Sequence, residues 1–141
     1  MQDHLARYRL ADLFLDTFPF CAHTTASDAL WAGVPVLTRV GESSISRICA
    51  SLLNAIELPE LITKTQAEYE ATAIKLATNP EKLKGIKDKL AHNRLTTALF
   101  DTPRFTRDME AAYIQMYERY QADLPSATLG WVGGYRFPIS L

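Results

Sequence analysis

The stretch that decides the fold runs from residue 13 to residue 38 and reads LFLDTFPFCAHTTASDALWAGVPVLT. Its first part, residues 13–16, is a compact apolar run that predicts a buried β-strand. Residues 24–33 then predict a short helix with an apolar face, and residues 35–38 predict a second short strand. A strand, a helix and a strand within about 25 residues are typical of a right-handed βαβ crossover with parallel strands.

The remainder of the chain is predicted to be helical, and no further strand is predicted. Apolar spacing and capping residues indicate helices at 4–12, 43–56, 65–78, 80–94 and 106–121. The last helix carries an apolar stripe that we expect to pack against neighbouring elements. The stripe consists of Met109, Ala112, Tyr113, Met116, Tyr117 and Tyr120. Residues 124–141 predict a loose hairpin or a disordered tail, which leaves 1–123 as the domain.

Two short parallel strands do not make a stable sheet, because both faces and both edges need covering. The pattern is that of the second half of a doubly wound α/β domain, whose helices present a surface for more strands. We therefore expect an α/β fold with short parallel strands followed by several helices. Further strands are expected to come from a segment upstream of this chain or from another polypeptide.

Composition and charge exclude several classes of function. The chain has 141 residues, with 15 Lys and Arg against 16 Asp and Glu and a formal net charge of -1. This balance lacks the basic cluster that binds a nucleic-acid backbone, so nucleic acid is not an expected partner. The apolar runs are far shorter than the roughly 18–20 residues that cross a bilayer, so no membrane association is expected.

The two cysteines, Cys21 and Cys49, lack CxxC spacing and cannot by themselves complete a four-ligand metal site. We expect both to be reduced, buried thiols that pack as small apolar side chains. The N-terminal segment MQDHLARYRL lacks the apolar core of a signal peptide. A cytoplasmic location is therefore expected.

Polar side chains cluster where the first strand gives way to the first long helix. His23, Thr24 and Thr25 stand at the start of that helix, at the carboxyl end of a parallel strand, where open α/β sheets bind ligands. The first amides of a helix, its dipole and two hydroxyls suit the oxygens of a diphosphate. Asp28 follows about one turn later and can accept hydrogen bonds from ribose hydroxyls.

A structural interpretation explains the same residues without a ligand. Thr24 or Thr25 then caps the helix, His23 is a loop residue and Asp28 is a solvated charge. The residues alone leave both interpretations open.

Three other side chains are expected to have structural roles. We expect Trp31 to pack in the core beside a glycine and a proline, and His92 to lie on the surface of a basic helix. Arg47 is expected to form structural contacts, with contact to a phosphate, Glu42 or Asp28 as the alternative.

Two runs of sequence carry a resemblance to a known family. The first is His4-x5-Leu10-Ala11-Asp12-Leu13-Phe14-Leu15-Asp16-Thr17, and the second is His23-Thr24-Thr25-x2-Asp28-Ala29-Leu30-Trp31-Ala32-Gly33-Val34-Pro35-Val36-Leu37-Thr38. Together they resemble the carboxyl-terminal part of the catalytic region of the O-linked N-acetylglucosamine transferase and SPINDLY family. Members of this family are GT-B glycosyltransferases. The similarity extends over roughly residues 4–123 and implies the second half of a Rossmann-like GT-B donor-binding lobe.

The resemblance implies a role for five residues. His23, Thr24 and Thr25 match positions that hold the donor diphosphate, and Asp28 matches the position that holds the ribose. His4 matches a histidine near the nucleotide base, a role that the sequence does not support independently. The family's lysine near the base falls at Met1 here, and the amino-terminal lobe with its candidate general base has no counterpart in the chain.

The resemblance also implies a reaction. Family members transfer a sugar from a nucleotide donor to Ser or Thr of a protein, with inversion and without a metal or other cofactor. The expected donor is UDP-N-acetylglucosamine, with GDP-fucose as the alternative, and the protein acceptor is expected to bind through the missing lobe. A second hypothesis is that the chain is an inactive half-domain that binds a nucleotide and completes its sheet by self-association or with an upstream polypeptide.

Overall fold

The computed structural model describes residues 2–127 and contains short parallel strands and helices. The helices are α1 (Gln2–Arg7), α2 (Thr24–Ala32), α3 (Ile48–Ala55), α4 (Gln66–Ala77), α5 (Pro80–Thr96) and α6 (Thr102–Gln121). The strands are β1 (Phe14–Leu15), β2 (Val36–Arg39) and β3 (Ile62–Thr63). The chain forms two compact units, the first ending at Leu99 and the second beginning at Phe100 with α6 as its main element.

The three strands within residues 2–127 are parallel and lie in the order β1-β2-β3. Phe14 pairs with Val36, and Thr38 pairs with Ile62. The predicted βαβ unit is confirmed, because α2 connects β1 to the parallel β2. The α/β fold class is confirmed with it.

Strand β3 was missed by the sequence analysis, and the expectation of no further strand is wrong. Ile62–Thr63 is only two residues long and directly follows a 3-10 turn, so it has no alternating pattern of its own. Tertiary pairing makes it a strand, since the amide of Val40 donates to the carbonyl of Thr63 at 2.9 Å. The Thr63 hydroxyl donates in turn to the Thr38 carbonyl at 2.9 Å.

Strand β1 is not the buried strand that its apolar run predicts. Leu15 is 53% exposed and Phe14 is half-buried, whereas Val36 and Leu37 of β2 are fully buried. The difference follows from position, because β1 pairs only with β2 in the described part of the sheet and β2 lies in the middle.

Helices cover the sheet and supply most of the core. The largest fully buried side chains include Leu30, Leu37, Leu53, Ile56, Leu58, Leu61, Leu76 and Leu90. The predicted capping box of α4 is confirmed, because Thr65 accepts from the Glu68 amide at 3.1 Å and Glu68 accepts from the Thr65 amide at 3.1 Å. Helix α2 ends at Gly33, whose φ of 89° is left-handed and favours glycine.

Three helix boundaries differ from the expectation. The helix expected at 4–12 ends at Arg7 and continues as a 3-10 turn, and the helix expected at 43–56 begins as the 3-10 turn Ser44–Arg47. Helix α6 begins earlier than expected, at Thr102, because Asp101 accepts from the Arg104 amide at 2.9 Å and caps it.

Two predictions of buried aromatic side chains are wrong. Trp31 is 47% exposed, and the Arg94 guanidinium lies over its ring at 5.7 Å. The α6 stripe is exposed at Tyr113, Met116, Tyr117 and Tyr120, while Ala112 is buried. Periodic spacing identifies one face of a helix but contains no information on what covers that face.

The remaining side-chain predictions have clear outcomes. His92 is exposed, as expected, and Arg47 is half-buried without an ion pair to Glu42 or Asp28 among residues 2–127.

Residues 128–141, where the hairpin or disordered tail was predicted, lie outside the described part of the chain. None of the helices within residues 2–127 has the length and hydropathy needed to cross a membrane.

A buried carboxylate holds the loop between β1 and α2. Asp16 is 6% exposed, and its Oδ1 accepts from the amides of Thr17 at 2.9 Å and Ala22 at 2.7 Å. Its Oδ2 accepts from the Thr38 hydroxyl at 2.6 Å, and the Tyr69 hydroxyl donates to its backbone carbonyl at 2.8 Å. One residue therefore connects both ends of the loop to β2 and α4.

The thiols of Cys21 and Cys49 pack against this carboxylate. Both are buried and free, which confirms their predicted burial. Their sulfur atoms and an Asp16 carboxylate oxygen lie within 4.8 Å of one another. Cys21 donates to the carbonyl of Ile45 at 2.6 Å, and Cys49 donates to the carbonyl of Ala22 at 2.8 Å. These bonds tie the loop to the 3-10 turn Ser44–Arg47 and to the start of α3, and they favour a structural role for both thiols.

The first prediction concerns the loop. Asp16→Ala leaves two partly buried amides and one buried hydroxyl without their acceptor, so we expect the free energy of unfolding to fall by about 1–3 kcal/mol. Asp16→Asn keeps one carbonyl oxygen for the amides and should cost less than the alanine variant. Urea unfolding measures both values, and equal losses in the two variants would contradict the role of the acceptor oxygens.

The second prediction concerns pH. Burial, and then the neighbouring Asp16, raise the pKa of the Cys49 thiol above its ordinary value of 9.0. The unfolded chain loses this proton above pH 9.0 while the folded chain keeps it, so this contribution to stability is complete below pH 9.0 and is lost as the pH rises further.

Urea unfolding between neutral pH and pH of about 10, with a reductant present, measures this effect. Cys49→Ala should show a shallower fall in the free energy of unfolding than the parent chain, since it lacks the titrating group. Parallel slopes for the two proteins would refute the assignment.

Candidate functional site

A cleft of about 420 Å³ lies at the carboxyl end of β1, where the sequence predicts an anion site. Its lining combines the end of β1, the loop held by Asp16 and the first turn of α2. The lining includes Phe14, Leu15, Asp16, Phe20, Cys21, His23, Thr24 and Thr25. Three of the five predicted site residues therefore share one cleft.

The start of α2 presents unused donors. His23 is the N-cap residue, and its side chain makes no capping bond. The first bond of the helix runs from the Ser27 amide to the His23 carbonyl at 3.1 Å, so the three amides at 24–26 precede the intrahelical ladder. The prediction that Thr24 or Thr25 caps the helix is wrong, because both lie inside the first turn and are exposed.

This position changes what the threonines can do. Within residues 2–127, neither the Thr24 nor the Thr25 side chain has a hydrogen-bond partner, so both hydroxyls remain available beside the first amides and the positive end of the helix dipole. The arrangement suits an anion with several oxygens.

The His23 ring is oriented by an aromatic neighbour. It stacks on Phe20 with ring centroids 5.2 Å apart and planes 13° from parallel. Its Nε2 atom is buried and has no hydrogen-bond partner among the described residues. Because a buried polar atom without a partner is costly, this nitrogen is suited to contact a bound ligand.

The structure brings His4 and Asp28 together, although they are far apart in sequence. His4 Nε2 lies 3.5 Å from Asp28 Oδ2, with side-chain exposures of 53% and 28%. Tyr8 lies beside this pair, and burial, followed by the charge of Asp28, raises the pKa of its phenol. Asp28 is therefore not the isolated solvated charge of the structural interpretation.

The five residues form two neighbouring groups. His23, Thr24 and Thr25 line the cleft, and the pair of His4 and Asp28 lies between α1 and α2. The Tyr8 hydroxyl connects the groups by donating to the Thr25 carbonyl at 3.2 Å. Met1, the position of the family's lysine, lies outside the described residues.

Sequence reasoning missed two residues that organise this site, Asp16 and Tyr8. Asp16 had a detectable signal, because an acidic residue directly after an apolar strand stands at the ligand-binding edge of a parallel sheet. Tyr8 had none, since its bond to Thr25 depends on the packing of α1 against α2.

Comparison with known proteins agrees with the family resemblance along most of the chain. The model of a family described as Glycosyl transferase family 41 matches residues 1–109. A UDP-N-acetylglucosamine–peptide N-acetylglucosaminyltransferase of Caenorhabditis elegans is 40% identical over 125 residues, which are 88% of this chain and 11% of that protein. The probable UDP-N-acetylglucosamine–peptide N-acetylglucosaminyltransferase SEC of Arabidopsis thaliana is 42% identical over 117 residues, or 82% of this chain and 12% of that protein.

A solved structure shares the fold. A mutant O-GlcNAc transferase from Thermobaculum terrenum matches with a TM-score of 0.81 and 35% identity, covering 87% of this chain and 24% of that one. The chain spans 11% and 12% of the length of the two relatives above. It is homologous to part of their sequence, and the chain belongs to glycosyl transferase family 41.

Proposed function

We propose that this chain is the nucleotide-sugar-binding portion of a protein O-glycosyltransferase that moves N-acetylglucosamine from UDP-N-acetylglucosamine to Ser or Thr hydroxyls. The observation that carries the proposal is the start of α2, where three amides, two threonine hydroxyls and a buried histidine nitrogen lack partners among residues 2–127. The names of the relatives support the donor and the acceptor class. We assign this portion to residues 1–123.

The donor diphosphate is proposed to bind at the helix start. The amides at 24–26 and the hydroxyls of Thr24 and Thr25 donate to its oxygens, and His23 adds a donor from Nε2. When the acceptor hydroxyl attacks the anomeric carbon, it gives its proton to the general base, the bond from that carbon to the diphosphate oxygen breaks, and the leaving UDP gains negative charge. Donors already in place stabilise that charge without reorganisation.

The nucleoside is proposed to bind at the second group. The Asp28 carboxylate accepts from ribose hydroxyls, and His4 lies near the base. Asp28 lies about one helical turn beyond Thr25 on α2, and His4 lies beside it on α1. These positions support the order diphosphate, ribose, base along α2 and towards α1. Both residues are partly exposed, so a nucleoside can reach them.

The acceptor protein and the general base are proposed to belong to a part of the enzyme outside this chain. The edge strand β1, with Leu15 53% exposed, is suited to receive another strand from that part or from a second polypeptide. A cytoplasmic location also remains a prediction, which the two free thiols Cys21 and Cys49 support.

The third prediction tests the nucleotide site. UDP at about 100 times its dissociation constant should stabilise the chain by roughly 2.7 kcal/mol, which a thermal-shift assay detects. Thr25→Ala removes a hydroxyl from the diphosphate and Asp28→Ala removes the ribose acceptor, so each should reduce the shift at equal UDP concentration. GDP in the same assay tests the donor base, and we expect a smaller shift than with UDP.

Matched controls come from exposed residues that do not line the cleft. Thr106→Ala removes a threonine hydroxyl from α6, and Asp88→Ala removes a carboxylate from the surface of α5. Both controls should respond to UDP like the parent chain. If Thr25→Ala and Asp28→Ala also respond like the parent, the site assignment is wrong.

The fourth prediction tests transfer itself. The 141-residue chain alone should bind UDP but not transfer N-acetylglucosamine from UDP-N-acetylglucosamine to a Ser-containing peptide, because the proposed base and acceptor groove lie elsewhere. A radiolabelled donor measures transfer. Turnover by the chain alone would show that it contains a complete catalytic site, contrary to this proposal.

A further inference from the structure

The site depends on a contact between α1 and α2 that the polar pair of His4 and Asp28 alone cannot maintain. Helix α1 has six residues, and a helix of that length is not stable in water without tertiary contacts. The pair of His4 and Asp28 is partly exposed at 3.5 Å, and solvent screens such pairs strongly. Another residue must therefore help to hold His4 over α2.

Tyr8 makes contacts in both directions. Its hydroxyl donates to the Thr25 carbonyl in the first turn of α2 at 3.2 Å. Its ring lies edge-on to the His4 imidazole, with centroids 5.4 Å apart and planes at 89°. This perpendicular arrangement is a favoured geometry for aromatic pairs. One side chain thus contacts the base-side histidine and the backbone of the diphosphate turn.

The phenol is also in the correct protonation state for this role. Partial burial and the negative charge of Asp28 both raise the pKa of Tyr8, so the hydroxyl keeps its proton and donates at neutral pH. A neutral donor near Asp28 also leaves the charge of that carboxylate available to a ligand.

We propose that Tyr8 is a positioning residue for the nucleoside end of the site, which sets the place of His4 relative to Thr25 and Asp28. The inference deepens the proposed function and rests on it. Tyr8 touches no reacting atom in this scheme. Its effect on binding is indirect, through the ring packed on His4 and the bond to the Thr25 carbonyl.

The fifth prediction separates the two contacts of Tyr8. Tyr8→Phe keeps the ring and loses one hydrogen bond, so the dissociation constant for UDP should rise about two- to tenfold. Tyr8→Ala loses the ring as well and should raise it further. Binding of inorganic diphosphate should change by less than about twofold in both variants, because Tyr8 donates to a backbone carbonyl and not to the diphosphate donors. Isothermal titration calorimetry measures all of these constants.

An NMR measurement on His4 reports the contact between its ring and the side chain of residue 8. The imidazole Cε1 proton of His4 should keep its chemical shift in Tyr8→Phe and move in Tyr8→Ala, because only the alanine variant removes the adjacent ring. A structural loss spread over the whole unit would instead move the His23 and His92 signals as well. Tyr120→Phe serves as the matched control, since Tyr120 is 78% exposed on α6, and it should leave every constant unchanged.

Three outcomes overturn the inference in distinguishable ways. Unchanged UDP binding in both Tyr8 variants shows that Tyr8 does not position the site. An equal loss of UDP and diphosphate binding shows a general structural effect in place of positioning. A parent chain that binds no UDP overturns the proposed function itself, and this inference with it.

Discussion

The hydrogen bonds of the Asp16 carboxylate are the interaction on which the rest of the site depends. The parallel strand β1 ends at Leu15, and an eight-residue loop, 16–23, leads to the start of α2. Backbone amides in such a loop lose water when they are covered and need an acceptor. Asp16 supplies it to Thr17 and Ala22, at the two ends of the loop, and is itself held by Thr38. The direction in which α2 starts is a consequence of these three bonds.

The helix start then shows the opposite condition, with donors that the described structure does not satisfy. Folded proteins generally pair their buried polar groups, and groups that remain unpaired occur most often at sites of function. His23 Nε2 is such a group, and it lies in one cleft with the start of α2 and its two exposed threonines. The loop amides are thus paired with Asp16, whereas the donors in the first turn of α2 have no partner within residues 2–127. In our proposal, these unpaired donors give the cleft its affinity for anions.

The accuracy of the sequence-based expectations depended on the range of the interactions involved. Local signals performed well, since the capping box of Thr65 and Glu68, the glycine stop of α2 and the βαβ order all depend on residues close in sequence. The failures share another cause. Strand β3, the exposed Trp31 and the exposed tyrosines of α6 all depend on what lies beside an element in space. The helix cap moved from a threonine to His23, because the loop before it, held by Asp16, sets where helical geometry begins.

By itself the sequence determined the α/β class, the parallel crossover and the family resemblance. The nucleotide-sugar site proposed at His4, His23, Thr24, Thr25 and Asp28 follows from that resemblance. Only the tertiary structure decided that His4 reaches Asp28, that Asp16 governs the loop and that Tyr8 connects α1 to Thr25. The physical reason is one of range. Periodicity, caps and turns are encoded within a few neighbouring residues, whereas a hydrogen bond between distant residues exists only after the hydrophobic core has brought their elements together.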